Sequence, residues 1–393
     1  MRAIMLAHRP ESMRRHNARL VLTLLRREGA MPRSKLAQAS GLSAQAVTDI
    51  VRDLLARGLI ASEDRVRGRI GQPTVPLALA PRGAFSLGLQ VGRRSAGMVL
   101  VDFAGKVLGS RTISYATPEP HPDAVIAFAV DAAAELTDPT DGALTADERA
   151  RVAGIGVAMP FRMWDWGAGF APWRNRHLAP ELGQLTGLPA WVENDASAAC
   201  GAELIFGRKD LPGDFLHVYV GYYAGGGLVL GGQLWLGPHG NAAAIGSTPV
   251  PRPDGRVVQL LEQASLAPLE DAVGEQLPVN ALHDDDEHTI PATVRAEWLR
   301  TAGAAIAFAS LSATTILDLE AVVIDGAMSA DLRDDLVAAV NAALRDLPGA
   351  GVGLPRVLSG SLGRSARAIG AAALPLAEQF MLGVVKPSPA TGG

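Results

Sequence analysis

Ser43, Gln45, Thr48 and Arg52 fall close together in the first sixth of the chain. A glutamine carboxamide can donate to and accept from one adenine edge at once, and serine or threonine hydroxyls reach either base type. Ser34, Lys35 and Arg52 supply donors of the kind that grip phosphate oxygens. A little further on runs Arg65-Val66-Arg67-Gly68-Arg69-Ile70-Gly71-Gln72-Pro73. Arg67 and Arg69 on such a glycine-rich tip can follow phosphates or enter a minor groove. Together these residues point to the reading and gripping of a double-stranded DNA operator.

Reading needs a rigid mount, and the flanking pattern predicts one. Leu20, Val21, Leu24 and Leu25 repeat at helical spacing until Gly29. Arg33–Ala39 fits a short second helix, and Ser40-Gly41-Leu42-Ser43 a tight turn with Ser43 as N-cap. Val47, Ile50, Val51, Leu54 and Leu55 then form one apolar stripe, with Gln45, Thr48, Asp49 and Arg52 on the opposite face. Two helices about a glycine turn, followed by strands Leu59–Ser62 and Val75–Leu79 around the basic tip, make a winged helix-turn-helix over residues 12–80. A winged helix used only for protein contacts is the alternative. Charge argues against it. The first 80 residues hold 14 of the 36 Lys/Arg but only 6 of the 40 Asp/Glu. That is +8 there and −12 in the remainder, a basic head on an acidic body.

The body reads as mixed α/β. Strands are expected at Phe85–Gln90, Gly97–Asp102, Val107–Ile113, Val152–Ala158, Ala190–Val192, Leu216–Gly221, Leu228–Leu230 and Val322–Ile324, with helices at Ala124–Leu136 and Ala196–Phe206. A chain of 393 residues buries a sizeable core without staples. Its single cysteine, Cys200, excludes an intramolecular disulfide framework and any zinc site built on several thiolates. The apolar run Ala3–Ala7 is too short for a signal sequence. The uncharged stretch Thr301–Leu317 is too short to span a membrane and suits a buried helix. A cytoplasmic, membrane-free protein is expected.

From about His16 to Ala372 the chain resembles the ROK family (repressor, open reading frame, kinase), and within it the regulators that join a winged helix to a sugar-kinase-like body. The body supplies Gly154-Ile155-Gly156-Val157-Ala158-Met159-Pro160, Glu193-Asn194-Asp195-Ala196-Ser197-Ala198-Ala199 and the glycine-rich segment Gly221–Gly246. It ends with Val322-Val323-Ile324-Asp325-Gly326 and Leu362-Gly363…Ile369-Gly370-Ala371-Ala372. The resemblance implies a two-lobed, actin-like body of the ribonuclease-H type and a homodimer or higher homo-oligomer. The lobes are expected at residues 81–195 and 196–380, with the C-terminal helix packing back on the first.

Departures from the kinase pattern matter as much. Where the kinases resemble Asp-x-Gly-Gly-Thr, this chain has Gln90-Val91-Gly92-Arg93-Arg94. Where they resemble Gly-Thr-Gly-x-Gly-Gly-Gly, it has Gly221-Tyr222-Tyr223-Ala224-Gly225-Gly226-Gly227. Backbone amides cradle phosphates only where side chains stay away. No catalytic residue, cofactor or metal is therefore assigned. Asp195 matches the kinase base and, without ATP, becomes an acceptor for a sugar hydroxyl; Asn194 suits vicinal hydroxyls. The plainer alternative is that both cap the following helix. The family's glutamate and histidine sugar ligands are replaced by Ala244 and Ser247, with His239 and Asn241 nearby as substitutes. Glu262 matches a further sugar-contacting glutamate, and the family's zinc cysteines have no counterpart in Pro251–Gln259. Trp164, Trp166 and Trp173 make either a stacking wall for a sugar or local packing. His283-Asp284-Asp285-Asp286-Glu287-His288 reads as a solvated acidic loop.

The expected protein is thus a regulator, a repressor of carbohydrate genes, that senses a sugar or sugar derivative without phosphorylating it. The alternatives are an active sugar kinase carrying a winged helix, and a ligand-free scaffold that only oligomerises the DNA-binding heads.

Overall fold

The computed structural model describes residues 10–63, 75–115, 120–140, 142–165, 167–273 and 290–382. The head holds helices α1 (Pro10–Glu28), α2 (Arg33–Ser40) and α3 (Ala44–Ala56) and strands β1 (Ile60–Ser62) and β2 (Leu77–Leu79). Gly41 turns the chain after α2 at φ +68°, a conformation that favours glycine. Ser43 then caps α3, its hydroxyl accepting from Ala46 N at 3.2 Å. The α3 stripe Val47, Val51 and Leu54 is fully buried. β1 and β2 pair antiparallel, Ile60 opposite Leu79, and Met31 adds a bridge to Leu77. Arg67 and Arg69 lie outside the described residues.

The buried residues of α1 are Val21, Leu22 and Leu25, so the stripe lies rotated from the one expected. The reason is a second partner. Val21, Leu22, Leu36 and Leu54 of the head share one apolar cluster with Val99, Val101 and Phe103 of the body. The head is docked on the body, not tethered to it.

The first lobe comprises β3 (Phe85–Val91), β4 (Ser95–Asp102), β5 (Val107–Ser114), α4 (Pro122–Leu136), α5 (Ala146–Arg149), β6 (Val152–Met159), α6 (Leu178–Thr186) and β7 (Ala190–Asn194). The second comprises α7 (Asp195–Phe206), β8 (Phe215–Val220), β9 (Ala224–Leu230), β10 (Gln233–Trp235), β11 (Pro249–Pro251), β12 (Val257–Gln259), α8 (Leu261–Ala264), α9 (Leu266–Val273), α10 (Ala292–Leu317), β13 (Ala321–Gly326), α11 (Ala330–Asp346) and β14 (Arg356–Ser359). The last helix, α12 (Ala366–Phe380), packs on β3 and β6 of the first lobe and on α7. The two five-stranded sheets run β5-β4-β3-β6-β7 and β10-β9-β8-β13-β14. Each is an antiparallel meander joined to two parallel strands. The same order twice is the two-lobed, actin-like architecture.

Small residues set the spacing at the centre. A Cβ on Gly88 would lie 2.1 Å from Ala368 O, on Gly156 1.7 Å from Ala371 O, and on Gly370 2.0 Å from Ala198 O. Helix α12 therefore meets both sheet and α7 backbone to backbone. Pro375 cannot donate to Ala371 O, which leaves that carbonyl to lie over Gly156.

A further expectation needs correcting. The segment Gly225–Gly227 is strand, not loop: β9 begins at Ala224. Its glycines answer close neighbours, since a Cβ on Gly226 would meet Ile245 at 2.7 Å and one on Gly227 would meet Cys200 at 2.3 Å. Of the two alternatives for the tryptophans, Trp173 takes local packing. Its indole is buried in the first-lobe core and donates to Pro120 O at 2.7 Å. The Trp166 side chain and the acidic run 283–288 lie outside the described residues. Helix α10 is long and apolar enough to cross a membrane by length and composition alone, but half of its most apolar window is buried. Trp298, Ala302, Ile306 and Leu311 of α10 pack in the second-lobe core.

Candidate nucleic-acid interface and interlobe cleft

Ser34 and Lys35 on α2, and Gln45, Thr48 and Arg52 on α3, are all exposed. Their bonds are local. Gln45 Nε2 donates to Asp49 Oδ2 at 3.2 Å, and Arg52 Nη2 to Asp49 Oδ1 at 2.6 Å. Thr48 Oγ1 donates to Ala44 O at 2.8 Å. Ser43 is exposed too; its hydroxyl oxygen accepts from Ala46 N at the cap and keeps its own hydrogen to donate. Asp49 is the shared acceptor of the two long side chains.

The cleft between the lobes is built differently. β7 runs straight into α7, which places Asn194 as N-cap: its Oδ1 accepts from Ala196 N at 2.9 Å and Ser197 N at 3.2 Å. The carboxamide nitrogen remains for other partners. Asp195 Oδ1 accepts from Ala196 N at 2.9 Å, and Oδ2 accepts from Arg367 Nη1 at 3.2 Å. The Arg367 guanidinium lies 5.2 Å from the ring centroid of buried Tyr219. Asp195 is thus an acceptor that already carries a cation. Beside it Glu193 is buried; its Oε1 accepts from Asn194 N at 2.8 Å, and Oε2 has no hydrogen-bond partner among the described residues. Burial pushes the Glu193 carboxyl up to about 7, against the pull of the Asn194 N–H.

Both phosphate-loop positions are filled by side chains that reach across the cleft. The Arg93 guanidinium lies 5.6 Å from the Phe170 and Tyr222 ring centroids and 5.4 Å from that of Tyr223. It also donates to Tyr223 Oη at 3.0 Å. Arg94 meets both Glu270 carboxylate oxygens at 2.7 Å, with both side chains largely buried. Tyr222 and Tyr223 stack edge to face, centroids 5.0 Å apart. An adenine nucleotide's phosphates would need bare backbone amides here. Instead the loops form a clasp of guanidinium on aromatic rings plus a buried ion pair. The residues present do not fit a nucleotide–magnesium group.

Glu262 and His239 are exposed. Glu262 Oε1 accepts from Gln259 N at 3.0 Å, a local bond at the end of the β11–β12 hairpin. That hairpin is the segment which the sequence resemblance matches to the zinc-cysteine run. It is closed by its own bonds, Arg252 N to Arg256 O at 2.8 Å among them. Among the described residues no cluster of histidine, cysteine and carboxylate suits a metal ion.

The sequence pattern singles out Asn194 and Asp195 but not their partners. Arg367 is a lone arginine in the apolar run Ala366–Ala373, a signal that was available. Glu270 carried none, because its partner lies 176 residues away.

The ROK family profile matches residues 86–378, and the MarR family profile matches residues 16–67. An uncharacterized protein, y4fQ of Sinorhizobium fredii, is 29% identical over 386 residues, 94% of this chain and 93% of that protein. The transcriptional regulator Rv0485 of Mycobacterium tuberculosis is 29% identical over 240 residues, and the DNA-binding transcriptional dual regulator NagC of Escherichia coli 26% over 236. Each of those two matches covers 58% of this chain, and the chain spans about half of each regulator, 52% and 56%. Among solved structures, a ROK family transcriptional regulator described as a homolog of the E. coli MLC protein superposes with TM-score 0.67 at 22% identity. It covers 94% of this chain and 97% of its own. A ROK family glucokinase from Streptomyces griseus, solved with glucose and AMPPNP, gives 0.56 at 22% identity over 74% and 99%.

Proposed function

The chain belongs to the ROK family, and from that premise we propose that it is a cytoplasmic, DNA-binding transcriptional regulator, a repressor of carbohydrate genes. Its kinase-derived body senses a sugar-like ligand and does not phosphorylate it. The observation that carries this reading is the clasp: Arg93, Arg94, Tyr222 and Tyr223, at the positions that match the kinases' phosphate loops, bond to one another and to Glu270, while the polar face of α3 is exposed. Phosphoryl transfer depends almost wholly on positioning those phosphates. The names of the mycobacterial and E. coli relatives point the same way.

Gln45 and Thr48 read base edges, while Ser34, Lys35, Arg52, Arg67 and Arg69 hold phosphates. Ser43 caps α3 and reaches a base edge with its remaining donor. In the cleft Asn194 and Asp195 meet sugar hydroxyls, with Glu262 and His239 at its rim. The active species is a homodimer or higher homo-oligomer, so that two heads address two half-sites.

The test is fluorescence anisotropy on DNA from upstream of the chain's own gene, with a panel of sugars and sugar phosphates at two salt concentrations. Competitor-resistant binding that one sugar alters is the expected result. ATP-dependent phosphorylation of any sugar by the purified protein, abolished by Asp195→Asn, overturns the reading.

A further inference from the structure

Helix α12 has one end in the cleft and the other on the DNA-binding head. At its start Arg367 bonds Asp195 Oδ2 at 3.2 Å and lies on Tyr219. The loop before it is pinned, since Asp325 Oδ2 accepts from Gly363 N at 2.9 Å and Leu362 N at 3.2 Å. At its far end Arg19 of α1 donates to Met381 O at 2.7 Å and Ala377 O at 3.2 Å. Leu382 N donates to Thr23 Oγ1 at 2.9 Å. Phe380 meets Phe103 edge to face at 5.1 Å. Fifteen helical residues span roughly 20 Å between these ends.

What lies between is stiff. At Gly88, Gly156 and Gly370 the helix touches its neighbours with no side chain to cushion a shift. Such packing transmits displacement instead of absorbing it. The break at Pro375 sits within this clamped region, where Ala371 O and the proline ring both face Gly156. A shift at Arg367 therefore emerges at Met381.

We propose that Arg367 is a positioning residue that couples the cleft to the DNA-binding head: a ligand hydroxyl entering between Asp195 and Arg367 moves α12, and α12 moves α1. The ligand class rests on the regulator reading above; the coupling does not. A hydroxyl can donate to the carboxylate and accept from the guanidinium at once. Two hydrogen bonds in series separate the charged groups by about 4.5–5 Å, against the 3.2 Å of direct contact. Neither charge is left unpaired, so insertion avoids the penalty of breaking a buried pair. A neutral polyol fits this role.

Hydrogen exchange of the whole chain tests the coupling without DNA or sugar. Arg367→Met is expected to raise exchange of α1 amides roughly tenfold, a typical coupling between sites, with α11 amides as a reference unchanged within about twofold. Arg367→Lys, which keeps the cation, is expected to restore most of the protection. Tyr223→Phe alters the same cleft away from α12 and leaves α1 within about twofold. Coupling is reciprocal, so Arg19→Gln at the head end must raise exchange at residues 366–372. That second variant carries the test if Arg367→Met does not fold. Unchanged α1 exchange in Arg367→Met, or equal loosening of α11, overturns the proposal. The regulator reading stands or falls separately, on operator binding.

Discussion

On α3, Gln45 and Arg52 bond to a carboxylate four and three residues away. In the cleft the corresponding spans are 130 residues for Arg93–Tyr223, 172 for Arg367–Asp195 and 176 for Arg94–Glu270. Both regions use arginine, yet they do opposite work. Exposed, local pairs contribute little and can be exchanged for a partner's atoms at small cost. The buried pairs Arg94–Glu270 and Arg367–Asp195 cannot, because each partner is stranded when the other leaves. The first arrangement keeps side chains ready for something outside the molecule. The second spends them on the molecule itself.

The comparison breaks most visibly at Arg94. Arg94→Met strands the largely buried Glu270 and is expected to cost about 3–5 kcal/mol in urea unfolding. Pairing it with Glu270→Leu should recover most of that loss; equal damage in single and double variants would mean that the ion pair does not hold the lobes.

A smaller effect is expected from the cleft's buried acid. Glu193 has its folded pKa raised to about 7 by burial. The native state thus binds a proton that the unfolded chain releases near 4.5. Its stabilising contribution is complete below that value and is lost as pH rises to 7. Glu193→Gln is neutral throughout, so it should flatten this slope and add about 2–3 kcal/mol above pH 7. A variant whose thermal stability keeps the wild-type pH slope would count against that assignment.

On α3 the effects should be confined to DNA. Gln45→Ala is expected to cost about 1–3 kcal/mol of operator affinity with no change in melting temperature. Ser43→Ala should do the reverse first, costing about 1 kcal/mol of stability through the lost cap. If Ser43→Ala instead weakened DNA binding at unchanged stability, the cap assignment would be wrong.

The same contrast explains what the sequence made legible. The head was readable because its determinants are local: a stripe at Val47, Val51 and Leu54, a cap at Ser43, a turn at Gly41. The actin-like body was legible through resemblance, carried by runs such as Glu193–Ala199. The altered loops were visible as well, since two tyrosines and two arginines had replaced what a phosphate needs. Their use was not visible. Arg93 finds Tyr223 only after two lobes fold against each other, and no spacing announces such a meeting. The Gly225–Gly227 run misled for a related reason. Glycine signals close approach, but not whether the neighbour is a ligand or, as here, Cys200 and Ile245 of the same chain.

The docking of the head has a mechanical sequel. The Arg26 guanidinium sits 5.0 Å from the Phe206 ring centroid and 5.8 Å from that of Phe103, and donates to the Phe103 and Ala104 carbonyls. Burial draws its pKa down to about 10, so it stays cationic at neutral pH. Lys209 Nζ donates to Arg26 O at 3.2 Å and fastens α1 from the second lobe. A head fastened to both lobes has no slack. If the chain forms the two-fold dimer proposed above, the distance between its two α3 helices is a dimension of the protein, like the gap of a caliper. Five base pairs inserted between half-sites turn the second onto the far side of the duplex, about half a helical turn away. A leashed head could follow it there; a caliper cannot.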